Sequence, residues 1–342
     1  MTTLEPTGSV LERLAHSREL VEPSMRAAVE RLDDHSRLVA SYHLGWCDEQ
    51  GNPRGASGGK AIRPGLTLMV ADAVAGSPEP GIPGGVAVEL VHNFSLIHDD
   101  LMDRDTQRRH RRTVWAIWGD ATAVLTGDAL ASLADEVLSE SESPHAHRAG
   151  HALAVATREL IRGQVLDVAF EQRDDVGLAE CMDMAAGKTS SLLGLAAQLG
   201  AILAGAEEDV CEAFRTYGWE LGLAFQLVDD LLGIWGSPQR TGKPVFSDLR
   251  AHKKTMPVVW SLENGGEAGR ELAEWLAGTG SPSEADLQRA AALVERAGGR
   301  EWAITEAKER VRRAGKALTA GITPVNREQF DELAGFVVER EL

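Results

Sequence analysis

The chain has 342 residues, with 35 Lys and Arg against 52 Asp and Glu, a formal charge of −17 and a hydrophobic content of 43%. That apolar content excludes a mainly disordered chain. Three scattered cysteines (Cys47, Cys181, Cys211) exclude a disulfide framework or a Cys-based zinc site, and the acidic balance argues against general nucleic-acid binding.

From the N-terminus, Leu11, Leu14, Leu20, Val21, Met25, Val29 and Leu32 recur at the three- and four-residue steps of an amphipathic helix. No basic start leads into an apolar run, so no secretory leader is read, and the first ~20 residues, which carry no nameable chemistry, are expected to be flexible. Turn residues follow at Gly51-Asn52-Pro53. Gly58-Gly59-Lys60-Ala61-Ile62-Arg63-Pro64 is not a P-loop, because Arg54 stands where that motif needs Gly and Ala61 where it needs Ser or Thr. Helical periodicity then runs over Val86 to Met102, Ala121 to Leu138, His151 to Phe170, Ala179 to Gly205 and Val210 to Trp235, with breaks at Ser77 to Gly85, Ser143-Pro144 and Ser237 to Pro244. The most apolar window, Leu192 to Ala206, has 15 residues, short of the ~20 a membrane span needs. Alternating β-branched runs are nearly missing and no 20–50-residue repeat is present. The expectation is one all-α domain over residues 1–342, with ten or more helices, in a reduced, cytoplasmic protein.

Two acidic pairs close apolar helical stretches, Asp99-Asp100 and Asp229-Asp230, 130 residues apart. Asp99 and Asp103 are four apart, so on a helix they project from one face and repel unless a cation lies between them. Oxygen-only donors of this kind suit Mg²⁺, which takes its other ligands from water and phosphate. The bland reading is a solvated acidic helix end, and two such sites in one helical chain weaken it. Residues 104–112 hold five arginines in nine positions, immediately after Asp103. A second basic cluster (Lys243, Arg250, Lys253, Lys254) follows the second pair, and Lys60 with Arg63 forms a third. Carboxylates for Mg²⁺ beside Arg and Lys make a site for diphosphate, and two copies imply two diphosphate-bearing substrates. An EF-hand fails, with Leu101 and Arg104 at the positions of an oxygen ligand and the turn Gly, and His92 and His98 are badly spaced for a shared metal. Cys181 and Cys211 read as packing residues, and Trp115, Trp118, Trp235 and Trp260 as core or helix contacts.

These motifs resemble the trans-isoprenyl diphosphate synthases (polyprenyl synthetases) over nearly the whole chain. The similar segments, in order, are Gly59-Lys60 with Arg63-Pro64, Glu89 to Asp103, Arg108-Arg109, Lys188-Thr189, Phe225-Gln226 with Asp229-Asp230, Gly242-Lys243-Pro244, and Asp248-Leu249 with Lys253 and Thr255. The resemblance implies a helical bundle of the isoprenoid synthase type with a central active-site cavity, acting as a homodimer. It implies ionisation of an allylic diphosphate (dimethylallyl, geranyl or farnesyl), attack by the double bond of isopentenyl diphosphate, and proton loss. Three Mg²⁺ ions are implied, held by Asp99, Asp103 and Asp229, with Asp100 and Asp230 completing the metal set. Lys188, Lys243 and Arg108 would neutralise the allylic diphosphate; Lys60, Arg63, His92 and Arg109 would hold isopentenyl diphosphate, with Lys253 also at the substrate. Thr189 and Gln226 would lie near the reacting carbons. Two positions depart from the family pattern: Gly233 stands where the second motif usually has a third Asp, and His110 where a Gly usually follows the paired arginines. Phe94 and Ser95, five and four residues before Asp99, look like the product-length floor of a C20 (geranylgeranyl) synthase, with C15 the next reading. On a helical wheel Ser95 falls nearer the Asp99 face than Phe94. A class I terpene cyclase has no reason to keep the isopentenyl diphosphate residues, and a non-catalytic partner subunit would be expected to lose an acidic motif.

Overall fold

Ser9 opens the first helix with a capping box: its hydroxyl accepts from the Glu12 amide while the Glu12 carboxylate accepts from the Ser9 amide. The computed structural model describes residues 9–54, 61–173, 175–237, 245–278, 280–318 and 324–339. The helix so capped, α1 (Val10–Val29), buries Leu14, Ser17, Val21 and Met25. Flexibility was expected of the first ~20 residues; from Val10 onward the chain is helical, and its apolar period buries Leu14 in the core.

The described residues form helices with almost no strand. They continue as α2 (Asp34–His43), α3 (Ile62–Ala75), α4 (Ile82–Met102), α5 (Val114–Trp118), α6 (Asp120–Ser139), α7 (Ala146–Phe170), α8 (Leu178–Ala185), α9 (Ser191–Leu203), α10 (Glu208–Trp235), α11 (Ser247–Arg250), α12 (Met256–Asn264), α13 (Gly266–Leu276), α14 (Glu284–Arg296), α15 (Gly299–Ala317) and α16 (Pro324–Glu339). The all-α expectation holds. Among the described residues no helix is long and apolar enough to cross a membrane.

Contacts group the chain into two compact units. The first comprises Met1–Thr157, Leu192–Arg215 and Ala320–Gln329, the second Arg158–Ser191, Thr216–Thr319 and Phe330–Leu342. In the first, α4 is the central helix and packs on α6, α3 and α1. Its Val86, Ala87, Val88, Leu90, Val91 and Ile97 are all fully buried, as an apolar helix enclosed on several sides must be. In the second, Leu223, Ala224, Leu227, Val228 and Leu231 of α10 pack with Cys181, Ala185, Met256, Val259, Ala303 and Ala307. A neighbouring cluster joins Ile234, Leu249, Val258, Leu272, Leu287 and Val294. Cys47, Cys181 and Cys211 are free and buried. Trp260 stacks on Trp302 at 5.8 Å, a helix contact as read from the sequence.

Two local features escaped periodicity. The Arg run contains an antiparallel hairpin, β1 (Gln107–Arg108) with β2 (Arg111–Arg112), in which Gln107 pairs with Arg112 and Arg108 with Arg111. Its two turn residues, Arg109 and His110, have φ of 50° and 61°, the left-handed pair that a two-residue hairpin requires. Gly or Asn would adopt it more cheaply, so both side chains hold this turn at a cost of about 1–2 kcal/mol each. The second is a π turn over Ala186–Ser190, which interrupts the helix expected from Ala179 to Gly205.

Candidate active site

The first acidic motif sits on the last turn of α4, where the Asp103 amide donates to the Asp99 carbonyl at 2.8 Å. That turn sets the Asp99 and Asp103 side chains four apart on one face, Asp99 half-buried and Asp103 exposed. Carboxylates at a helix C-terminus oppose its dipole and each other, so this placement costs stability unless a cation is bound there.

Asp100 behaves differently. It is 1% exposed and its Oδ1 accepts from both Nε and Nη2 of Arg108 at 2.8 Å. Burial raises its pKa to about 6, while the Arg108 charge works the other way. The expected metal ligand Asp100 is thus an internal partner of Arg108, and Arg108, expected on the diphosphate, is engaged by that carboxylate. Rotation of about 100° per residue makes the division unavoidable: if Asp99 and Asp103 face out, Asp100 faces the packed side.

The basic residues of the same unit gather beside this motif. Arg63, on the first turn of α3, donates through Nη1 to His92 Nε2 at 3.3 Å. Burial first, then Arg63 and Arg109, hold the His92 pKa well below its usual value, so its Nε2 accepts. Burial also works against the charges of Arg63 and Arg109, with Glu89 of α4 opposing that effect for both. Glu89 is fixed in turn by Asn93, whose Nδ2 donates to the Glu89 carbonyl at 2.7 Å and to Oε1 at 3.3 Å.

His43, which sequence reasoning missed, lies with Arg108, Arg109, Arg111 and Asp100 around a small cavity. Burial, then Arg108 and Arg109, push its pKa down to about 3. A folded-state pKa below the unfolded value means stability that is present above about pH 6.5 and lost as the pH falls. At pH 5 this single imidazole is expected to remove about 2 kcal/mol of stability relative to pH 8. Urea unfolding at the two pH values checks it, with a shallower pH slope expected in His43→Gln and an unchanged slope counting against the assignment.

In the second unit the π turn presents Lys188 and Thr189 toward α7 and α10. Lys188 Nζ bonds Asp167 Oδ2 of α7 at 2.6 Å, both side chains half-buried. Thr189 donates from Oγ1 to Gln226 Oε1 at 2.7 Å, and Gln226 Nε2 donates to Asp230 Oδ1 at 2.9 Å. The other Asp230 oxygen accepts from the Met256 amide at the start of α12, again at 2.9 Å. Asp230 is buried, and burial raises its pKa to about 7 against the pull of these donors. Asp230, expected with the metal ligands, is engaged within the protein as Asp100 is: one oxygen accepts from Gln226 and the other from the Met256 amide. Asp229, one residue earlier, is exposed.

The turn can form only because α7 offers no side chain at Gly163. A Cβ there would overlap the Lys188 amide and lie 2.6 Å from the Gly187 carbonyl carbon. Asp167 follows Gly163 by four residues on the same face of α7, a spacing readable in the sequence only once Lys188 is known to pack there. Lys253 is exposed. Phe94 is buried at 6% exposure with its ring edge-on to His98 at 5.7 Å, and Ser95 Oγ donates to the His92 carbonyl at 2.8 Å. Lys60 and Lys243 lie outside the described residues.

Asp99, Asp103 and Asp229 offer only carboxylate oxygens, the donor type that suits Mg²⁺. Among the described residues no three His, Cys, Asp or Glu side chains converge into a ready-made cage. A cation that keeps waters and draws on phosphate oxygens needs none.

Residues 47–294 match the family described as polyprenyl synthetase. A Mycobacterium tuberculosis protein named (2E,6E)-farnesyl diphosphate synthase is 53% identical over 339 residues, covering 98% of this chain and 94% of its own. A geranylgeranyl diphosphate synthase of the same organism is 41% identical over 306 residues, with 89% and 87% covered. The crystal structure of a polyprenyl synthetase from Streptomyces coelicolor A3(2) matches with a TM-score of 0.93 at 50% identity, over 96% of this chain and 100% of that one. The chain belongs to the polyprenyl synthetase family of trans-prenyltransferases.

Proposed function

We propose that this protein condenses isopentenyl diphosphate with an allylic diphosphate (dimethylallyl, geranyl or farnesyl), as a cytoplasmic homodimer whose residues 1–342 form one catalytic domain, and that its product is geranylgeranyl diphosphate. The observation that carries the reading is the split within the first motif. Asp100 is neutralised internally by Arg108, while Asp99 and Asp103 are left on the outward face, in the same unit as Arg63, His92 and Arg109.

Asp99, Asp103 and Asp229 would hold three Mg²⁺ ions, which when bound supply the positive charge that makes diphosphate a good leaving group. Lys188 would add its ammonium to that neutralisation, kept in place by Asp167, with Lys243 and Lys253 as further cations for the diphosphates. Arg63 and Arg109, with Lys60, would bind the second diphosphate, whose negative charge would offset the cost that burial puts on the two guanidinium charges. His92, held neutral, accepts from Arg63 and so fixes the guanidinium that meets isopentenyl diphosphate. As the allylic C–O bond ionises, the Thr189 hydroxyl has its proton committed to Gln226, so its lone pairs are free to face the cation. The isopentenyl double bond then forms the new C–C bond, and the proton released goes to the departing diphosphate.

Product length is argued from α4. Ser95, one turn before Asp99, is small and its hydroxyl is tied to its own helix, so the face beneath the diphosphate stays open until a bulkier side chain closes it. Phe94 is the buried aromatic next to it, and C20 is the length this supports. Farnesyl diphosphate is the second reading, favoured by the 53% identity to a protein of that name. Purified protein given Mg²⁺, isopentenyl diphosphate and each primer, with product length read by chromatography, tests both. Consumption of allylic substrate without isopentenyl diphosphate would instead indicate a cyclase. Phe94→Ala is expected to shift the main product up by at least one C5 unit, and unchanged length would place the floor elsewhere.

A further inference from the structure

The turn of the arginine hairpin is not held by its own residues. Arg109 and His110 are both left-handed although both carry side chains, and both are exposed, so burial of their side chains does not fix them there. The flanking strands have two residues each, and a two-stranded hairpin is marginal in water even when longer. What fixes the turn reaches it from elsewhere in the same unit.

Each strand has its own anchor. In β1, the Arg108 guanidinium is bonded to Asp100 of α4. In β2, both residues are tied to the end of α2. The Tyr42 hydroxyl donates to the Arg112 carbonyl at 2.8 Å, and Tyr42 is buried. In the other direction Arg111 donates through Nη1 to the Tyr42 carbonyl at 2.7 Å and through Nη2 to the Cys47 carbonyl at 3.0 Å. Its guanidinium also lies 3.9 Å from the centre of the Tyr42 ring, close enough for a cation–π contact. Trp118 backs that ring edge-on at 5.0 Å. Only Arg109 and His110 are left between the two anchors. A Gly at position 110 adopts the left-handed conformation at no steric cost, whereas His110 does not, so this chain depends on the anchors more than one with Gly there.

We propose that Tyr42 and Arg111 are positioning residues for the isopentenyl diphosphate site: by clamping β2 to α2 they hold Arg109 in the backbone conformation from which it meets that diphosphate, while Asp100 holds Arg108 independently. The inference rests on the role of Arg109 proposed above. It makes the two substrates separable, because loosening β2 frees Arg109 and leaves Asp99, Asp103 and the Asp100–Arg108 bond as they are.

Steady-state kinetics of the full-length protein with Mg²⁺, each substrate varied in turn, tests it alongside thermal unfolding. Tyr42→Phe keeps the ring against Trp118 and Arg111 and removes only the hydroxyl. It is expected to raise KM for isopentenyl diphosphate by about 5–10-fold, with kcat and the allylic KM retained. Arg111→Lys keeps the charge but can reach only one of the two carbonyls, and the same selective rise is expected. The double variant Tyr42→Phe/His110→Gly relieves the turn and is expected to recover most of the isopentenyl affinity, with His110→Gly alone like the wild type. A purely structural role for Tyr42 does not give that rescue. An unchanged isopentenyl KM in Tyr42→Phe, an equal rise in both KM values, or a folded double variant no better than Tyr42→Phe overturns the proposal. A wild-type protein that forms no prenyl product overturns the function instead, so the two failures are distinguishable.

Discussion

Asp99→Ala is expected to lower kcat/KM by at least about 1,000-fold while the protein unfolds at the same or a slightly higher temperature. The two halves of that result have one cause. Asp99 shares the end of α4 with Asp103, against the helix dipole and outside the set of residues that the helix buries. Removing it relieves repulsion in the free protein and removes a ligand for the cations in the complex. Steady-state kinetics at saturating Mg²⁺, with circular dichroism as the check on folding, reads both. Turnover like the wild type would mean that the motif is a surface feature. Asp100→Ala gives the contrasting case: it strands Arg108 half-buried without its partner and is expected to cost stability as well as activity.

Gly163→Ala is expected to be as damaging from a position that carries no chemistry. The added Cβ would overlap the Lys188 amide and sit 2.9 Å from the Lys188 Cα, so either α7 or the π turn must move. Overpacking of this kind costs about 1–3 kcal/mol. The moving part also holds Lys188 against Asp167 and Thr189 against Gln226, and displacement of reacting groups by about 1 Å costs on the order of 100-fold in rate. The expected signature is a fall in kcat with a lowered Tm, read by kinetics and thermal unfolding. A variant with wild-type values for both would show that the turn relaxes freely.

Much of the site was legible in the residues because its chemistry is written in charge. Carboxylates four apart after an apolar run, with arginines following, have few solvated explanations, and Asp99, Asp103 and Asp229 stand on the accessible side of their helices as that pattern requires. The internal partners of the second residue of each pair were not legible. A helix turns about 100° per residue, so adjacent carboxylates cannot share a face, and Asp100 and Asp230 turn to Arg108 and to the amide of Met256 instead. Asp167 went unassigned since nothing local marks it: it acquires its meaning from Lys188, 21 positions away. The hairpin turn at Arg109-His110 was invisible because neither residue favours the left-handed conformation it adopts.

The residues alone determined the helical class, since a 3.6-residue apolar period is a local property that burial then rewards. They also determined the diphosphate chemistry, since charge type and spacing on one helix face are local too. Tertiary structure decided which carboxylates are available to a ligand and which hold the fold together. It also placed the Asp248 carboxylate against the backbone of Gly233. The division is physical: period and spacing are set within a few residues along the chain, whereas burial, partner choice and proton affinity depend on what packs across from each side chain.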